Sequence, residues 1–310
     1  MSKSSGIIIP IICGPTGSGK TSIALKLAGK FPVEIVSADS RQVFRKLDIG
    51  TAKPTKEEQE SVPFHLIDII EPGEKYTAFK FIEDAEKAIS DILSRNKLPV
   101  LVGGTGLYLK ALTVGILKIE NENSEIRAEL EKELAEKGSE EMYRQLCEID
   151  APEAEKFHPH NKVRILRALE IYRLTGRPKS ELVKSSDYKK SSYNFKHYCL
   201  LPDRDKLYKK IEERVEKMIS GGLLAEIKNL AAQNFIEPLR RMNVIGYGEL
   251  IKYQDGVLSL EEALAMLKQN SRRYAKRQFT WFRNQLEGEF FVDSKSLIAQ
   301  FNSDYANFEQ

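Results

Sequence analysis

Residues 7–29 constrain this chain more than any other stretch. They read IIIPIIC, then GPTGSGKT, then SIALKLAG. Ile7–Cys13 is apolar throughout and too short for a helix, so it reads as a strand buried on both faces. Lys20–Gly29 is helical in pattern, and Gly14–Thr21 between them fits G-x-x-x-x-G-K-[ST]. A glycine loop in this setting curls its backbone N–H groups inward, and the helix N-terminus adds partial positive charge. Such a loop holds a polyphosphate. Lys20 would reach the terminal phosphates, and the Thr21 hydroxyl would hold Mg²⁺. The loop specifies phosphate without specifying a nucleotide.

The rest of the first third repeats the strand–helix rhythm. Val33–Ser37, Phe64–Ile70 and Leu98–Val102 read as strands. Tyr76–Asn96 places Ala78, Ile82, Ala85, Ile89 and Ile92 on one helix face. Apolar strands alternating with helices predict a parallel sheet covered on both sides. After about Gly115 the chain turns charged and helical, with helices expected over Glu122–Lys137 and Val163–Leu174. Ser185–Ser192 reads as a polar linker. Phe195–Leu201 then returns to strand-like sequence, long helices follow, and Glu289–Val292 is a candidate last strand. The expected fold is α/β, a P-loop NTPase-like core of parallel sheet and flanking helices with an inserted all-helical domain. Its boundaries fall at 1–115, 116–194 and 195–310.

Strand ends are where such a sheet presents ligand-binding groups. Asp39 follows the second strand in SADSRQ. It reads either as a carboxylate aimed at the ligand, able to accept a proton or help hold Mg²⁺, or as a turn cap. Gly103-Gly104-Thr105-Gly106 follows another strand and reads equally as a ligand-facing turn or a plain one. No acid ends Leu98–Val102, as a P-loop ATPase would usually require. Asp39 and Asp68 are the strand-end carboxylates, and the guanine-reading N-K-x-D is absent.

Lys plus Arg number 48 against 45 Asp plus Glu, so net charge alone does not argue for a polyanionic partner. Clustering does. SRRYAKRQFTWFR (271–283) carries no acid. At about 100° per residue, Arg272, Arg273, Lys276, Arg277 and Arg283 fall within roughly a 140° arc. Leu264, Leu267, Tyr274, Ala275, Gln278, Phe279 and Phe282 take the other side, with Trp281 near the boundary. The face is either solvated or set against a phosphate backbone, and the missing acids favour the second. Cys13, Cys147 and Cys199 lie far apart and support neither disulfides nor a thiolate metal site. No apolar run approaches membrane-span length. These features suggest a cytoplasmic protein, by default a monomer.

Taken together, the blocks GPTGSGKT (14–21), ADSRQVF (38–44), DIGTAKPT (48–55), HLIDI (65–69) and LVGGTGLYLKAL (101–112) resemble the tRNA dimethylallyltransferase family. RALEIY (167–172), TGRP (175–178), VIGYGEL (244–250) and YAKRQFTWFR (274–283) extend the likeness over nearly the whole chain. Nucleotide kinases share only the first block. The resemblance implies transfer of a dimethylallyl group from its diphosphate to the exocyclic amine of the tRNA adenosine 3′ of the anticodon, assisted by Mg²⁺. It implies that Gly14, Pro15, Thr16, Gly17, Ser18, Gly19, Lys20 and Thr21 bind the diphosphate, with Arg214 near it. Asp39 matches the family's proton acceptor, and Thr105 and Arg127 match positions at its reaction channel. Ser40, Arg41 and Gln42 match tRNA-contacting positions. So do Val163, Arg164, Ile165, Leu166 and Arg167, and Asn243, Val244, Ile245, Gly246, Tyr247 and Gly248. Phe44 stands where the family often has Tyr. The zinc finger of eukaryotic relatives is absent, which suggests the bacterial type.

Two other readings stay open on sequence. A small-molecule kinase of the nucleotide or shikimate type would turn over ATP. A non-catalytic P-loop module would bind RNA and turn over nothing.

Overall fold

In the computed structural model, residues 6–117, 119, 124–184, 188–189 and 191–308 are described. The chain divides into two compact units. One joins Met1–Thr113 to Ser191–Gln310, and the other is Val114–Lys190.

The first unit opens with β1 (Ile8–Cys13), α1 (Lys20–Ala28), β2 (Val33–Ser37), α2 (Lys56–Ser61), β3 (Phe64–His65), α3 (Ala78–Ser94), β4 (Leu98–Gly103) and α4 (Gly106–Thr113). α3 starts where the Thr77 side chain accepts a bond from the Lys80 N–H, satisfying an otherwise orphaned helix donor. Phe81, Ile82, Ala85, Ile89 and Ile92 form its buried face.

The second unit holds β5 (Ile116–Leu117), α5 (Ser124–Ala154), α6 (Lys162–Thr175), α7 (Lys179–Leu182) and β6 (Tyr188–Lys189). Backbone angles at Gly138 and Asp150 break α5. Leu130, Met142, Leu146, Ile165, Leu166 and Leu169 pack as its core. It is not purely helical, because β5 and β6 pair antiparallel. Two-residue strands leave no periodicity to read in a sequence. The expected linker Ser185–Ser192 lies partly outside the described residues, at 185–187 and 190, and its residues 188–189 form β6.

The first unit then resumes with β7 (Asn194–Leu200), α8 (Arg204–Ser220), α9 (Leu223–Ala232), α10 (Ile236–Met242), α11 (Tyr247–Gln254), α12 (Leu260–Gln285), β8 (Glu289–Phe291) and α13 (Ser294–Asp304). α12 starts at a reciprocal cap between Ser259 and Glu262.

Six strands form one sheet in the order β3-β2-β4-β1-β7-β8, every pairing parallel. From β1 the chain moves toward β2, whereas from β4 it eventually reaches β7 on the far side of β1. That reversal opens a crevice beyond the carboxyl ends of β1 and β4. One face of the sheet, with Ile12, Val33, Ile35, Val100, Tyr198 and Leu200, packs with Ile23 and Leu27 of α1 and Leu297 and Phe301 of α13. The alternating residues Ile11, Val36 and Leu101 are equally buried, as expected of strands covered on both faces.

The strand expected over Phe64–Ile70 ends at His65. Leu66 and Asp68 take positive φ angles of 63° and 55°, which no regular strand accommodates. Asp68, a strand-end carboxylate on sequence, instead pairs at 2.5 Å with Lys53, which also donates to Asp48 and to the Phe44 carbonyl.

Phe301 is fully buried, with ring centroids 5.5 Å from Phe31, 5.5 Å from Tyr198 and 4.6 Å from Tyr305. Phe301→Ala is expected to destabilise the protein by about 3–5 kcal/mol, measured by urea unfolding. A change below about 1 kcal/mol would mean that α13 contributes little to the core.

Candidate active site

The loop after β1 owes its path to glycine. Gly14 has φ 146°, and a Cβ there would collide with the Leu200 carbonyl at the end of neighbouring β7. Pro15 accepts a 2.9 Å bond from the Lys20 ammonium, which folds that side chain back over the loop. The Thr16 hydroxyl accepts a 2.9 Å bond from the Arg214 guanidinium of α8. Lys20 and Arg214 are thus held against the Gly14–Thr21 loop and with it form one wall of the site.

The second wall comes from β2 and β4. Asp39 lies two residues beyond β2 and accepts a 2.8 Å bond from the Arg41 N–H. This is the turn-cap geometry, made by one carboxylate oxygen. Thr105 holds the turn from the other side. Its hydroxyl accepts from the Ser40 N–H at 2.9 Å, and its own N–H donates to the Ala38 carbonyl at 3.2 Å. The Gln42 amide accepts from the Ser37 hydroxyl and donates to the Ala52 carbonyl, both at 3.1 Å. Asp39, Ser40, Arg41, Gln42 and Thr105 are thus brought together, all half-buried.

The two walls share one electrostatic field. Desolvation lowers the Lys20 ammonium to about 8, against an upward pull from Asp39 and a downward push from Arg214. Burial also lowers Arg214, again opposed by Asp39. Tyr108 and Tyr274 are pushed up to about 12 by burial, and both feel Asp39 and Arg41. Asp39 is therefore within charge range of the phosphate loop's cations and of two tyrosines. Cys13 is fully buried, and burial followed by its hydrogen bond with Cys199 pushes its thiol well up.

α12 closes the site with a polar residue from its apolar side. The buried Gln278 amide accepts from the Thr16 N–H and donates to the Gly104 carbonyl, each at 2.8 Å. No signal in the sequence distinguished this glutamine from the other inward residues of α12. Trp281 packs where a Cβ at Gly106 would stand, which explains that glycine. Arg273, Lys276, Arg277 and Arg283 are exposed. Arg272 instead pairs with Glu212 of α8 at 2.5 Å, so its charge is compensated. Phe279 also departs from expectation. It is half-exposed with the Arg204 guanidinium 5.2 Å from its ring, because it lies only about 20° around the helix from Arg272.

The segment 243–248 is largely architectural. Val244 and Tyr247 are buried among Val43, Phe44 and Leu47. The Tyr247 hydroxyl donates to Glu226 at 2.6 Å, and Glu226 also accepts the N–H groups of Asp48, Ile49 and Gly50. Gly246 donates its N–H to the buried Glu249 at 2.7 Å. Asn243 is exposed, and Ile245 and Gly248 are half-buried. The side chains of Val244 and Tyr247 are not available to an RNA surface; they hold up the 48–55 loop onto which Gln42 is anchored. Phe44 is also buried in this cluster, where a tyrosine hydroxyl would require a partner.

Within the second unit, Val163 and Arg164 are exposed at the start of α6, while Ile165 and Leu166 belong to its core. Arg167 pairs with the buried Glu170 at 2.9 Å. Arg127 of α5 pairs with Glu131 at 2.8 Å and lies 3.7 Å from Glu170.

Among the described residues, no group of three or more His, Cys, Asp or Glu is placed to hold a metal. Thr21, half-exposed on the first turn of α1, offers one hydroxyl. That donor set fits Mg²⁺, which keeps waters and binds through few protein oxygens plus substrate phosphates. Among the described residues no helix is long and apolar enough to cross a membrane.

The profile of the IPP transferase family matches residues 42–285, and that of isopentenyl transferase matches residues 7–68. The chain is 43% identical over 292 residues to tRNA dimethylallyltransferase 1 of Syntrophotalea carbinolica, covering 94% of this chain and 93% of that one. It is 44% identical to the tRNA dimethylallyltransferase of Geobacter metallireducens, covering 89% and 90%. Among solved structures it resembles the tRNA isopentenylpyrophosphate transferase of Bacillus halodurans, with a TM-score of 0.67, 39% identity, and 97% and 96% of the two chains covered. A eukaryotic dimethylallyltransferase acting on tRNA gives a TM-score of 0.78 at 28% identity, covering 96% of this chain and 76% of that one. With its phosphate loop, its Asp39–Thr105 turn and these likenesses along its length, the chain belongs to the IPP transferase family.

Proposed function

We propose that this protein transfers the dimethylallyl group of dimethylallyl diphosphate to N6 of the adenosine immediately 3′ of the anticodon in tRNA. The products are N6-dimethylallyladenosine and diphosphate. One observation carries the reading: Asp39, which caps its own turn beside the Thr105 hydroxyl, lies close enough to Lys20 and Arg214 of the phosphate loop to oppose the lowering of both by burial. A base beside a diphosphate pocket is what this transfer demands.

An adenine amine is a poor nucleophile. Its proton must leave as the N6–C1 bond forms, and Asp39 is the group that accepts it. The electron pair of the breaking C1–O bond passes to the diphosphate. Loop N–H groups other than that of Thr16, with Lys20 and Arg214, stabilise that growing charge. Mg²⁺, held by Thr21 and the phosphate oxygens, would supply further neutralisation when bound. Thr105 orients the Asp39 turn. The target base leaves its stack to reach the site.

Phosphate contacts position an RNA more than they read its sequence. Arg41, Gln42 and Asn243, with Arg273, Lys276 and Arg277 of α12, supply such contacts on the first unit, and Val163, Arg164 and Arg167 supply them on the second. The enzyme works in the cytoplasm, as a monomer.

The direct test is labelled dimethylallyl diphosphate with unmodified tRNA and Mg²⁺, without ATP. Label is expected on the adenosine 3′ of the anticodon. Label on AMP or ADP instead would make the enzyme an adenylate-prenylating relative, and ATP turnover on a small acceptor would make it a kinase. In the same assay Asp39→Asn is expected to slow transfer by about 10²- to 10⁴-fold, with tRNA affinity within about threefold by filter binding. Unchanged transfer would remove Asp39 from the base role.

Lys20 gives a pH signature. Its folded value of about 8 lies below the ordinary lysine value, so the cation is lost as pH rises through 8. Diphosphate affinity, measured by calorimetry, should weaken above about pH 8 relative to a Lys20→Met variant, whose profile lacks that step. A bound anion favours the charged form and should shift the step upward. Parallel profiles for the two proteins would contradict Lys20 as the phosphate-binding cation.

A further inference from the structure

We propose that Gln278 is a positioning residue that sets the separation between the donor's phosphate loop and the turn that carries the base, a role that rests on the transferase reading above. Its amide is the middle link of a continuous chain of bonds. Thr16 in the phosphate loop donates its N–H to one end of the amide, and the other end donates to the Gly104 carbonyl. The next residue, Thr105, grips Ser40 and Ala38 on either side of Asp39. The orientation of the amide follows from its partners, because an N–H requires the oxygen and a carbonyl requires the nitrogen.

The junction is tight. Gln278 is 8% exposed. A Cβ on Gly104 would come within 2.6 Å of the Gln278 amide nitrogen and 3.3 Å of the Gly14 carbonyl oxygen. β1 and β4 are neighbours with Cys13 opposite Gly103, so their hydrogen-bonded ladder stops where this junction begins. Beyond that point the two loops have no ladder between them, and Gln278 takes its place. One consequence is that the Thr16 N–H is spent on Gln278 and does not face a phosphate. Thr16 thereby acts as a fixed post, held by Gln278 through its backbone and by Arg214 through its hydroxyl.

Transfer needs the donor carbon and the acceptor nitrogen within about 3–3.5 Å in line, and an error near 1 Å costs about 10²-fold in rate. In the reading above the donor is held at the phosphate loop and the tRNA by the basic surface, neither of them directly through the Gln278 amide. Loosening the link between the walls should therefore lower the rate of the chemical step while leaving binding nearly intact.

The test compares the parent enzyme with Gln278→Met, which keeps the bulk and loses both bonds, and Gln278→Glu. The latter keeps an acceptor for Thr16 but sets a carboxylate oxygen against the Gly104 carbonyl. Both variants are expected to stay folded at assay temperature, melting within about 10 °C of the parent because each leaves buried polar groups unpaired, and to bind inorganic diphosphate and tRNA within about threefold. Single-turnover transfer of labelled dimethylallyl to tRNA should be about tenfold to a hundredfold slower, with Gln278→Glu the slower. Rates within about threefold of the parent would overturn the proposal, as would a loss confined to KM or to diphosphate affinity. Unfolding of both variants would show a purely structural role and overturn it equally. A parent that labels no tRNA would overturn the transferase reading itself, and the positioning role with it.

Discussion

The parallel pairing of β1 between β4 and β7 governs everything at the site. Its register sets Cys13 beside Gly103 on one side and Cys199 on the other. Three loops therefore leave the sheet at one level: the phosphate loop, the Gly103–Gly106 turn and the start of α8. Only glycine fits at Gly14, pressed against Leu200, and at Gly103, pressed against Ala38. Shifting that ladder by one residue would turn every inward side chain outward and separate Asp39 from Lys20. Residues far apart in sequence, Thr16, Thr105, Arg214 and Gln278, meet because the sheet delivers their elements to one edge.

A phosphate loop in this setting does not imply nucleotide hydrolysis. The strand that would end in a magnesium-binding acid ends in Gly103-Gly104, and the nearby carboxylate, Asp39, stands on β2's exit instead. One of its oxygens is tied to the Arg41 N–H, and cations lie on the loop side. In the proposed reaction the cradle that binds a γ-phosphate in other proteins takes the leaving diphosphate instead. Binding and departure then concern the same charge, and groups that grip it more tightly as the C1–O bond breaks are the ones that accelerate transfer.

Much of this was legible in the sequence because the strongest signals are local. The Ile7–Cys13 run, the glycine spacing of residues 14–21 and the helix periodicity of residues 78–92 each point to one structure. Asp39 and Thr105 could be placed at strand ends, which is enough to bring them to one edge. Other features follow from tertiary contacts that no local pattern encodes. Asp68 looked like a strand-end ligand, yet its backbone turns left-handed and its carboxylate pairs with Lys53. Tyr247 and Val244 looked like part of an RNA-facing motif, yet they are core, and their motif is explained by Glu226 gathering three N–H groups and the Tyr247 hydroxyl. Gln278 could not be told from its apolar neighbours, since its role depends on two loops more than 170 residues away in sequence. Phe279 was misassigned because a helix wheel places it near the boundary of the two faces, and Arg204 of another helix decides the matter.

In the proposed reaction the loop over residues 14–21 holds an isoprenoid diphosphate and not a nucleotide. Calorimetric competition distinguishes the two: dimethylallyl diphosphate is titrated with Mg²⁺ into the protein alone, then into protein saturated with ATP. Tight binding of the isoprenoid diphosphate that ATP fails to block is the expected result. Binding of ATP that excludes dimethylallyl diphosphate would contradict it.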